Sequence, residues 1–149
     1  MAFVTEVNVE AELSYSITDS TQPTSTELTD IIADIEAEVK GYLYAARINS
    51  ASINSSATPD CFRSVKLVCL WGICSRVIAA AGGLVRSTQQ KEDSYWERYV
   101  TKLAQINEKP TILGDDTPFL TSFPSINIDG LTEDSDEYHE PVFAIDDVF

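Results

Sequence analysis

The pattern of apolar and polar positions divides the chain into a short first segment, three helical segments and a long final segment. The clearest helix begins at a capping box, in which Thr24 is followed three residues later by Glu27. Apolar residues then recur at helical spacing on one stripe, namely Leu28, Ile31, Ile32, Ile35, Val39, Tyr42 and Leu43. The pattern predicts a helix over residues 25–46, whose last turn Gly41 weakens by about 1 kcal/mol relative to alanine.

A second predicted helix begins after Thr58, which stands at the cap position, with Pro59 at the first helical position and Asp60 near the positive end of the helix dipole. It ends at the Ala-Gly-Gly sequence of residues 81–83. Its apolar residues point in nearly every direction around the axis: Phe62, Val65, Val68, Leu70, Trp71, Ile73, Val77 and Ile78. Such a helix must be buried. Its longest uncharged run, residues 67–75, is far shorter than the roughly 20 residues that cross a bilayer.

Two other amphipathic helices in a small domain can hardly cover every side of this second helix. We therefore expect it to meet a protein partner, most simply another copy of the chain. The residues predicted for this subunit interface are Phe62, Arg63, Lys66, Trp71 and Arg76.

A third helix is predicted from near Ser87 to about Asn107, with its apolar face covering the second helix. The residues on that face are Tyr95, Trp96, Tyr99, Val100, Leu103 and Ile106. We interpret its aromatic residues as core rather than as a platform for stacking bases. The Ser/Asn-rich residues 48–57, which join the first and second helices, are expected to form a surface loop.

The two ends of the chain give different patterns. Residues 6–17 alternate apolar and polar, which predicts a strand, most clearly over residues 13–18, but Thr5 could instead cap a short helix that carries Val9 and Leu13. Beyond Thr117 the chain has three prolines and no helical periodicity, which predicts an extended or disordered arm. The fold class is therefore mainly α: a small bundle of three main helices with a short N-terminal strand or helix. Residues 1–116 form the core, and residues 117–149 form an acidic, extended C-terminal arm.

The net charge of −14 is divided unevenly along the 149 residues. Residues 1–39 contain nine acids and no base, residues 40–109 contain all ten bases and five acids, and residues 110–149 contain ten acids and no base. This partition favours head-to-tail contacts between copies or neutralisation within one copy. Because both flanks are acidic, specific binding of a nucleic-acid backbone is not expected.

The first helix carries four acids three or four residues apart, which places them on one face: Glu27, Asp30, Asp34 and Glu38. One interpretation is a solvated face, or a face paired with bases of the same fold such as Arg63, Lys66, Arg98 and Lys102. The alternative is an electronegative surface that faces a partner or a channel.

Candidate chemistry for an enzyme, a metal site or a bound cofactor is missing from the sequence, and we expect none of the three. The single histidine, His139, lies in the arm, and no motif frames a nucleophile or cradles a phosphate. Residues 134–140 offer carboxylates but lack the glycine and the final acid of a calcium loop. Cys61, Cys69 and Cys74 have no C-x-x-C spacing and are predicted to be reduced, buried thiols. Acids where a signal peptide needs bases indicate synthesis in a cytoplasm, with no membrane partner.

The end of the C-terminal arm is unusually apolar for an acidic segment. Its large apolar side chains are Tyr138, Val142, Phe143, Ile145, Val148 and Phe149. We interpret residues 138–149 as a docking peptide that binds a neighbouring subunit or another protein, for example by adding a strand to a sheet edge. The alternative is that the segment packs on its own core.

Three stretches together resemble a head-tail connector (adaptor) protein of tailed bacteriophages: YSITDSTQPTSTELTDIIADIEAEVKGYL, LVCLWGICSRVIAA and YWERYVTKLAQINEKPTILGD. The resemblance covers residues 15–115 and lies in the order of parts. A short extended lead is followed by a capped acidic helix, an apolar helix with a glycine, and an aromatic helix that ends in a Leu-Gly turn. The Ser/Asn-rich loop and the long acidic arm depart from that pattern.

The resemblance implies a structural virion protein that forms a ring, usually dodecameric, between the portal and the next neck or tail-completion protein, in the neck of the virion. DNA would pass through the centre without specific binding. The rival prediction from another class is an acidic DNA mimic that inhibits a nucleic-acid-binding enzyme. A mimic would act as a monomer or dimer, whereas a connector would assemble on a portal.

Overall fold

The computed structural model describes residues 2–81 and 86–121 of the 149-residue chain, with residues 86–90 described by their backbone. In these ranges four α-helices follow one another: α1 (Glu6–Leu13), α2 (Ser25–Ala45), α3 (Pro59–Ala80) and α4 (Arg86–Glu108). Two short 3-10 helices, Ser50–Ser52 and Pro110–Leu113, lie in the connections. The mainly helical prediction is confirmed. None of the helices in these ranges is long and apolar enough to cross a bilayer.

The first segment is a helix, so the predicted strand is wrong and the alternative of a helix capped at Thr5 is confirmed. Val9 is fully buried, whereas Val7 is 69% exposed, a pattern that alternation does not explain. Ser14 ends the helix in the left-handed conformation, at a φ of 52°, and residues 15–18 form no strand. A single strand is stable only beside another strand, and the described ranges contain only an isolated bridge elsewhere in the chain.

Helix α2 begins as the capping box predicts. The Thr24 hydroxyl accepts a hydrogen bond from the Glu27 amide, and a Glu27 carboxylate oxygen accepts one from the Thr24 amide at 2.8 Å. The residues of the predicted apolar stripe that are fully buried are Leu28, Ile35, Val39 and Leu43. Gly41 does not end the helix, which continues to Ala45.

Helix α3 occupies the centre of the bundle, where α1, α2, α4 and the 3-10 helix Pro110–Leu113 all pack against it. Eleven of its 22 residues are buried, which explains a helix that is apolar on nearly every side. The described chain therefore covers more of α3 than the sequence pattern led us to expect.

The cap of α3 differs from the prediction. Thr58 stands at the cap position but its side chain does not cap the helix, because its hydroxyl exchanges hydrogen bonds with the backbone of Asn54. The carboxylate of Asp116 takes over instead, accepting hydrogen bonds from the amides of Asp60 at 2.9 Å and Cys61 at 2.8 Å. This contact fixes the end of the bundle's last connection to the start of its central helix.

Gly72 is the point where α2, α3 and α4 come closest. A Cβ atom at Gly72 would lie 2.9 Å from Cε2 of Tyr99 on α4 and 3.1 Å from Cγ2 of Ile35 on α2. Tyr99 and Ile35 are themselves fully buried, so neither can move aside easily. The glycine therefore permits this three-helix contact.

The Ser/Asn-rich connection is more than a surface loop, because Ile48 and Ile53 within it are each only 1% exposed. Ile48 also forms an isolated antiparallel bridge with Phe119. On either side of that bridge, the Asn49 amide donates to Pro118 at 2.7 Å and the Leu120 amide donates to Arg47 at 2.8 Å. The first residues of the C-terminal arm are thus paired with the connection that follows α2.

Candidate interaction surfaces

A groove of about 410 Å³ lies between α3 and α4 on the surface of the bundle. We call it the outer groove, and its lining residues are Trp71, Glu97, Arg98, Thr101, Lys102 and Gln105. Trp71 belongs to α3 and the other five residues belong to α4. A half-buried indole and aliphatic stems thus form its apolar part, while amide, hydroxyl and charged groups surround them.

Trp71 continues an outward-facing row on α3. Arg63, Leu67 and Trp71 follow one another at spacings of four residues, which places them on one side of the helix. Leu67 is 44% exposed even though most of α3 is buried. The outer groove is therefore continuous along α3 with an exposed leucine and an exposed cation.

The two cations of the outer groove have no ion pair within the described ranges. Arg98 is exposed and Lys102 is half-buried. Both lie on the face of α4 that flanks the core residues Tyr99 and Ile106. Together with Trp71 they form a surface suited to a ligand that carries both apolar and negatively charged groups.

The residues predicted for the subunit interface do not form one surface. Arg63 and Trp71 lie on the outward row of α3. Phe62 packs on the opposite side, where its ring centroid lies 6.0 Å from that of Phe3, and Lys66 is half-buried. Arg76 pairs with Glu38 of α2 at 3.3 Å, so it joins two helices of the same copy.

The acids predicted to form a face on α2 have divided roles. Glu27 belongs to the capping box, and its hydrogen bonds from the backbone and side chain of Thr24 hold its pKa below the ordinary value. Glu38 pairs with Arg76 rather than with any of the four bases suggested by the sequence. Asp30 and Asp34 remain exposed, without an ion pair in the described ranges.

Asp30 and Asp34 line a second surface cavity of about 310 Å³. The other residues around this cavity are Gln22, Pro23, Glu27, Ile31 and Ala80. We call Glu27, Asp30, Asp34 and Glu38 the α2 acidic face.

In helical geometry of about 100° per residue, Trp71 lies about 140° around α3 from Arg76, which faces α2. The outer groove therefore lies on a different side of α3 from its contact with α2.

The acid Glu36, which the sequence pattern did not single out, is buried and only 5% exposed. Its Oε1 atom accepts hydrogen bonds from the amides of Phe3 at 2.5 Å and Val4 at 3.0 Å. Its Oε2 atom lies 3.4 Å from the ammonium group of Lys40, which in turn lies 5.6 Å from the centroid of the Phe3 ring. The sequence feature that could have identified Glu36 is its position directly beside the apolar stripe of α2, four residues before Lys40.

The three cysteines are free and buried, as predicted. Burial raises the pKa of Cys61 to about 11 and the pKa values of Cys69 and Cys74 to about 12. Neutral thiols of this kind are poor nucleophiles and poor metal ligands. No group of His, Cys, Asp and Glu suited to a metal ion occurs among the described residues.

Tyr95 and Trp96 differ from the predicted core. The Tyr95 hydroxyl donates a hydrogen bond to Glu12 of α1 at 3.0 Å. The pKa of Tyr95 is raised to about 12, mainly by burial and secondly by this hydrogen bond. Trp96 is 45% exposed, with its ring centroid 5.6 Å from that of Tyr99. Of the three aromatic residues, only Tyr99 is fully buried.

The predicted docking peptide and His139 lie outside the described residues. The same is true of the carboxylates considered for calcium, in residues 134–140. The strand-addition mode suggested for the docking peptide needs a sheet edge, and the described part of this chain contains only the isolated bridge of Ile48 with Phe119.

Comparisons with known proteins add no relative to this picture. A scan against protein-family models gives no match, and searches of curated proteins and of solved structures give none either. The features of the chain that bear on its function are the outer groove, the α2 acidic face and the distribution of charge along the sequence.

Proposed function

We propose that the chain is a structural virion protein that assembles with copies of itself into a ring between a phage portal and the neck or tail. The observation that carries the proposal is the outer groove. It combines the half-buried indole of Trp71, with exposed Leu67 four residues before it, and two cations that have no ion pair among the described residues, in a chain whose net charge is −14. A surface of this composition suits association with an acidic protein partner.

A ring requires that each copy use two different surfaces, because a head-to-tail contact closes only when one surface meets another around a rotation axis. The chain offers a groove with two cations on one side and exposed acids elsewhere. Docking on a portal would then be multivalent, so weak contacts of single copies would add to a stable assembly. The order of helical parts, which resembles that of phage connectors, also supports this function.

The direct test is assembly on a portal. Purified chain mixed with the portal protein encoded beside it should add a ring-shaped layer in negative-stain images. The variant Leu67→Asp places a charge on the outward row of α3 and should abolish that layer while the helical circular dichroism is retained. The control Val7→Asp changes a residue of α1 that is 69% exposed and should leave assembly intact.

Within this function, the α2 acidic face is proposed to contribute negative potential to the lumen of the ring. Repulsion between carboxylates and phosphates would keep DNA from adhering during passage. Replacing exposed Asp30 and Asp34 with lysine should then slow DNA ejection from particles that assemble normally. Unchanged ejection would leave these two acids with a role in solvation alone.

The rival function is a DNA mimic, and the exposure of Asp30 and Asp34 is the observation that favours it. A mimic would remain a monomer or dimer and bind a basic enzyme with an affinity that falls steeply as salt rises. Formation of a layer on the portal, together with failure to inhibit nucleic-acid-binding enzymes, distinguishes the connector from the mimic.

A further inference from the structure

The outer groove selects for a ligand of particular composition. Trp71 and the stems of Arg98 and Lys102 offer apolar surface, and the guanidinium and ammonium groups of the same two residues suit carboxylates, although Glu97 in the same lining supplies one acid. Neither cation has an ion pair with another residue of the described ranges, so an acid from outside these ranges would not have to displace one of these residues. A suitable ligand is a peptide that carries large apolar side chains with acids a few residues away.

The chain itself contains such a peptide. Residues 138–149 include six large apolar side chains, three acids and no lysine or arginine. Asp146 and Asp147 stand directly between Ile145 and Val148. An extended peptide of this kind can place apolar groups against the indole of Trp71 while adjacent carboxylates reach the two cations.

We propose that residues 138–149 of one copy bind in the outer groove of a neighbouring copy. Sixteen residues separate Thr121, the last described residue, from Tyr138. When extended they span about 55 Å, whereas a folded chain of this size has a radius of gyration of about 14 Å. The segment is therefore long enough for the peptide to reach an adjacent copy, and in a closed ring every groove would receive one peptide. The inference rests on the proposed ring, whose neighbour-to-neighbour contact it specifies.

The charges are tested with two full-length variants. The groove variant, R98E/K102E, reverses the charge of the groove and leaves the peptide unchanged. The peptide variant, D146K/D147K, reverses the charge of the peptide and leaves the groove unchanged. The control, K91E/K109E, makes the same change of charge at exposed positions that do not line the groove. These three chains and the parent chain with which they are compared also carry W96F, which leaves Trp71 as the only tryptophan.

We expect the parent and control chains to self-associate in sedimentation, with Trp71 shielded from a soluble quencher. Each charge variant alone should lose at least about tenfold in self-association, because attraction is replaced by repulsion. An equimolar mixture of the two variants should recover self-association with the two variants alternating, because the native peptide then meets the native groove and the reversed peptide meets the reversed groove. Helical circular dichroism checks that each variant is folded.

Two results would overturn the proposal. If Trp71 is shielded by an intact peptide at concentrations where the chain is monomeric, and the mixture forms no complex, the peptide occupies the groove of its own copy. If reversal of the groove or of the peptide changes neither association nor shielding, the two do not meet. If rings still form on the portal in either case, the proposed function stands although the peptide contact is wrong. If complexes form in the mixture but the chain does not bind the portal, the peptide contact stands and the proposed function is wrong.

Discussion

The carboxylate of Glu36 holds the first residues of the chain against α2, and its loss should be costly. Glu36→Ala leaves the amides of Phe3 and Val4 without their acceptor in a buried position. We expect the free energy of unfolding to fall by about 2 to 4 kcal/mol, because each unsatisfied buried group costs about 1 to 3 kcal/mol. Glu36→Gln, which keeps an acceptor oxygen, should cost less. Urea unfolding measures both changes.

The matched control for Glu36 is Glu38→Ala, which breaks the partly exposed pair with Arg76. Such pairs contribute about 0 to 1 kcal/mol. If the two alanine variants lose the same stability, the tie between Glu36 and the amides of Phe3 and Val4 contributes little.

The buried thiols predict a loss of stability at high pH. An unfolded cysteine has a pKa of about 8.5, whereas burial raises the values in the fold to about 11 for Cys61 and about 12 for Cys69 and Cys74. The folded chain therefore keeps protons that the unfolded chain releases. This contribution is complete below about pH 8.5 and should be lost progressively as the pH rises towards about 11 to 12. Thermal unfolding measured from pH 8 to pH 11 tests it.

The same thiols provide an independent check at constant pH. At pH 8, in the native state, a thiol reagent should modify all three cysteines only at the rate of unfolding, because they are buried and protonated. Rapid modification of any of them without denaturant would contradict the placement of that residue in the core.

At the scale of the helix, two glycines make a matched pair. Gly72→Ala places a Cβ atom 2.9 Å from the Tyr99 ring, whereas Gly41→Ala meets nothing within 4 Å. Alanine stabilises a helix by about 1 kcal/mol over glycine, and overpacking a core costs about 1 to 3 kcal/mol. We expect Gly41→Ala to raise the free energy of unfolding and Gly72→Ala to lower it or leave it unchanged. Equal effects of the two would show that the bundle relaxes around Gly72.

The cap of α3 gives a second prediction at this scale. Asp116→Ala removes the acceptor for two amides in the first turn of α3 and should cost about 1 to 2 kcal/mol, as losses of helix caps do. The neighbouring variant Asp115→Ala alters an exposed acid that forms no hydrogen bond to α3 in the described ranges. Its unfolding free energy should stay within about 0.5 kcal/mol of the parent. Urea unfolding of the two variants decides whether the carboxylate of Asp116 acts as the cap.

Gly114 explains why this cap is possible. Its φ of 141° lies in a region that favours glycine, and a Cβ atom there would lie 2.8 Å from Oδ1 of Asp116. The turn at Gly114 thus brings the Asp116 carboxylate against the start of α3. The Leu-Gly turn could be identified from the sequence, but its contact with the start of α3 could not.

Helix positions follow from the sequence wherever the pattern extends over many residues. The capping box at Thr24 and the apolar spacing of α2 gave both its start and its end to within a residue. The segment of α1 was ambiguous because eight residues contain too few turns to separate period two from helical spacing. Its burial depends on packing against α2 and α3, which no local pattern expresses.

Contacts between residues far apart along the chain could not be predicted from the sequence. Glu36 meets residues more than 30 positions earlier, and Asp116 meets α3 more than 50 positions earlier. The outer groove is likewise a joint product of α3 and α4. Trp71 was predicted at an interface for its place on an apolar helix, but its neighbours Arg98 and Lys102 come from another element.

For the molecule as a whole, the described core is expected to be stable without residues 138–149. Removal of these residues deletes none of the contacts described for residues 2–81 and 86–121, and if the peptide binds a neighbour it contributes nothing to an isolated copy. The melting temperature of dilute chain ending at Glu137 should equal that of the full chain. A large drop would show that the segment packs on its own core.

A second truncation serves as the control for this experiment. A chain ending at Asp115 lacks Asp116 and the segment that pairs with residues 47–49. It should melt at a clearly lower temperature. Comparison of the two truncations separates the part of the C-terminal arm that belongs to the fold from the part proposed to act between copies.

The cap of α3 by Asp116 also sets the order of events while the chain is being made. Synthesis proceeds from the N-terminus, and Asp116, which accepts a hydrogen bond from the Cys61 amide, follows Cys61 by 55 residues. The central helix therefore leaves the ribosome before its cap exists, and the connection after α4 can be fixed to the start of α3 only when nearly all of the described chain has emerged. Nascent chains arrested before residue 116 should accordingly be cut by protease far faster than chains arrested well beyond it.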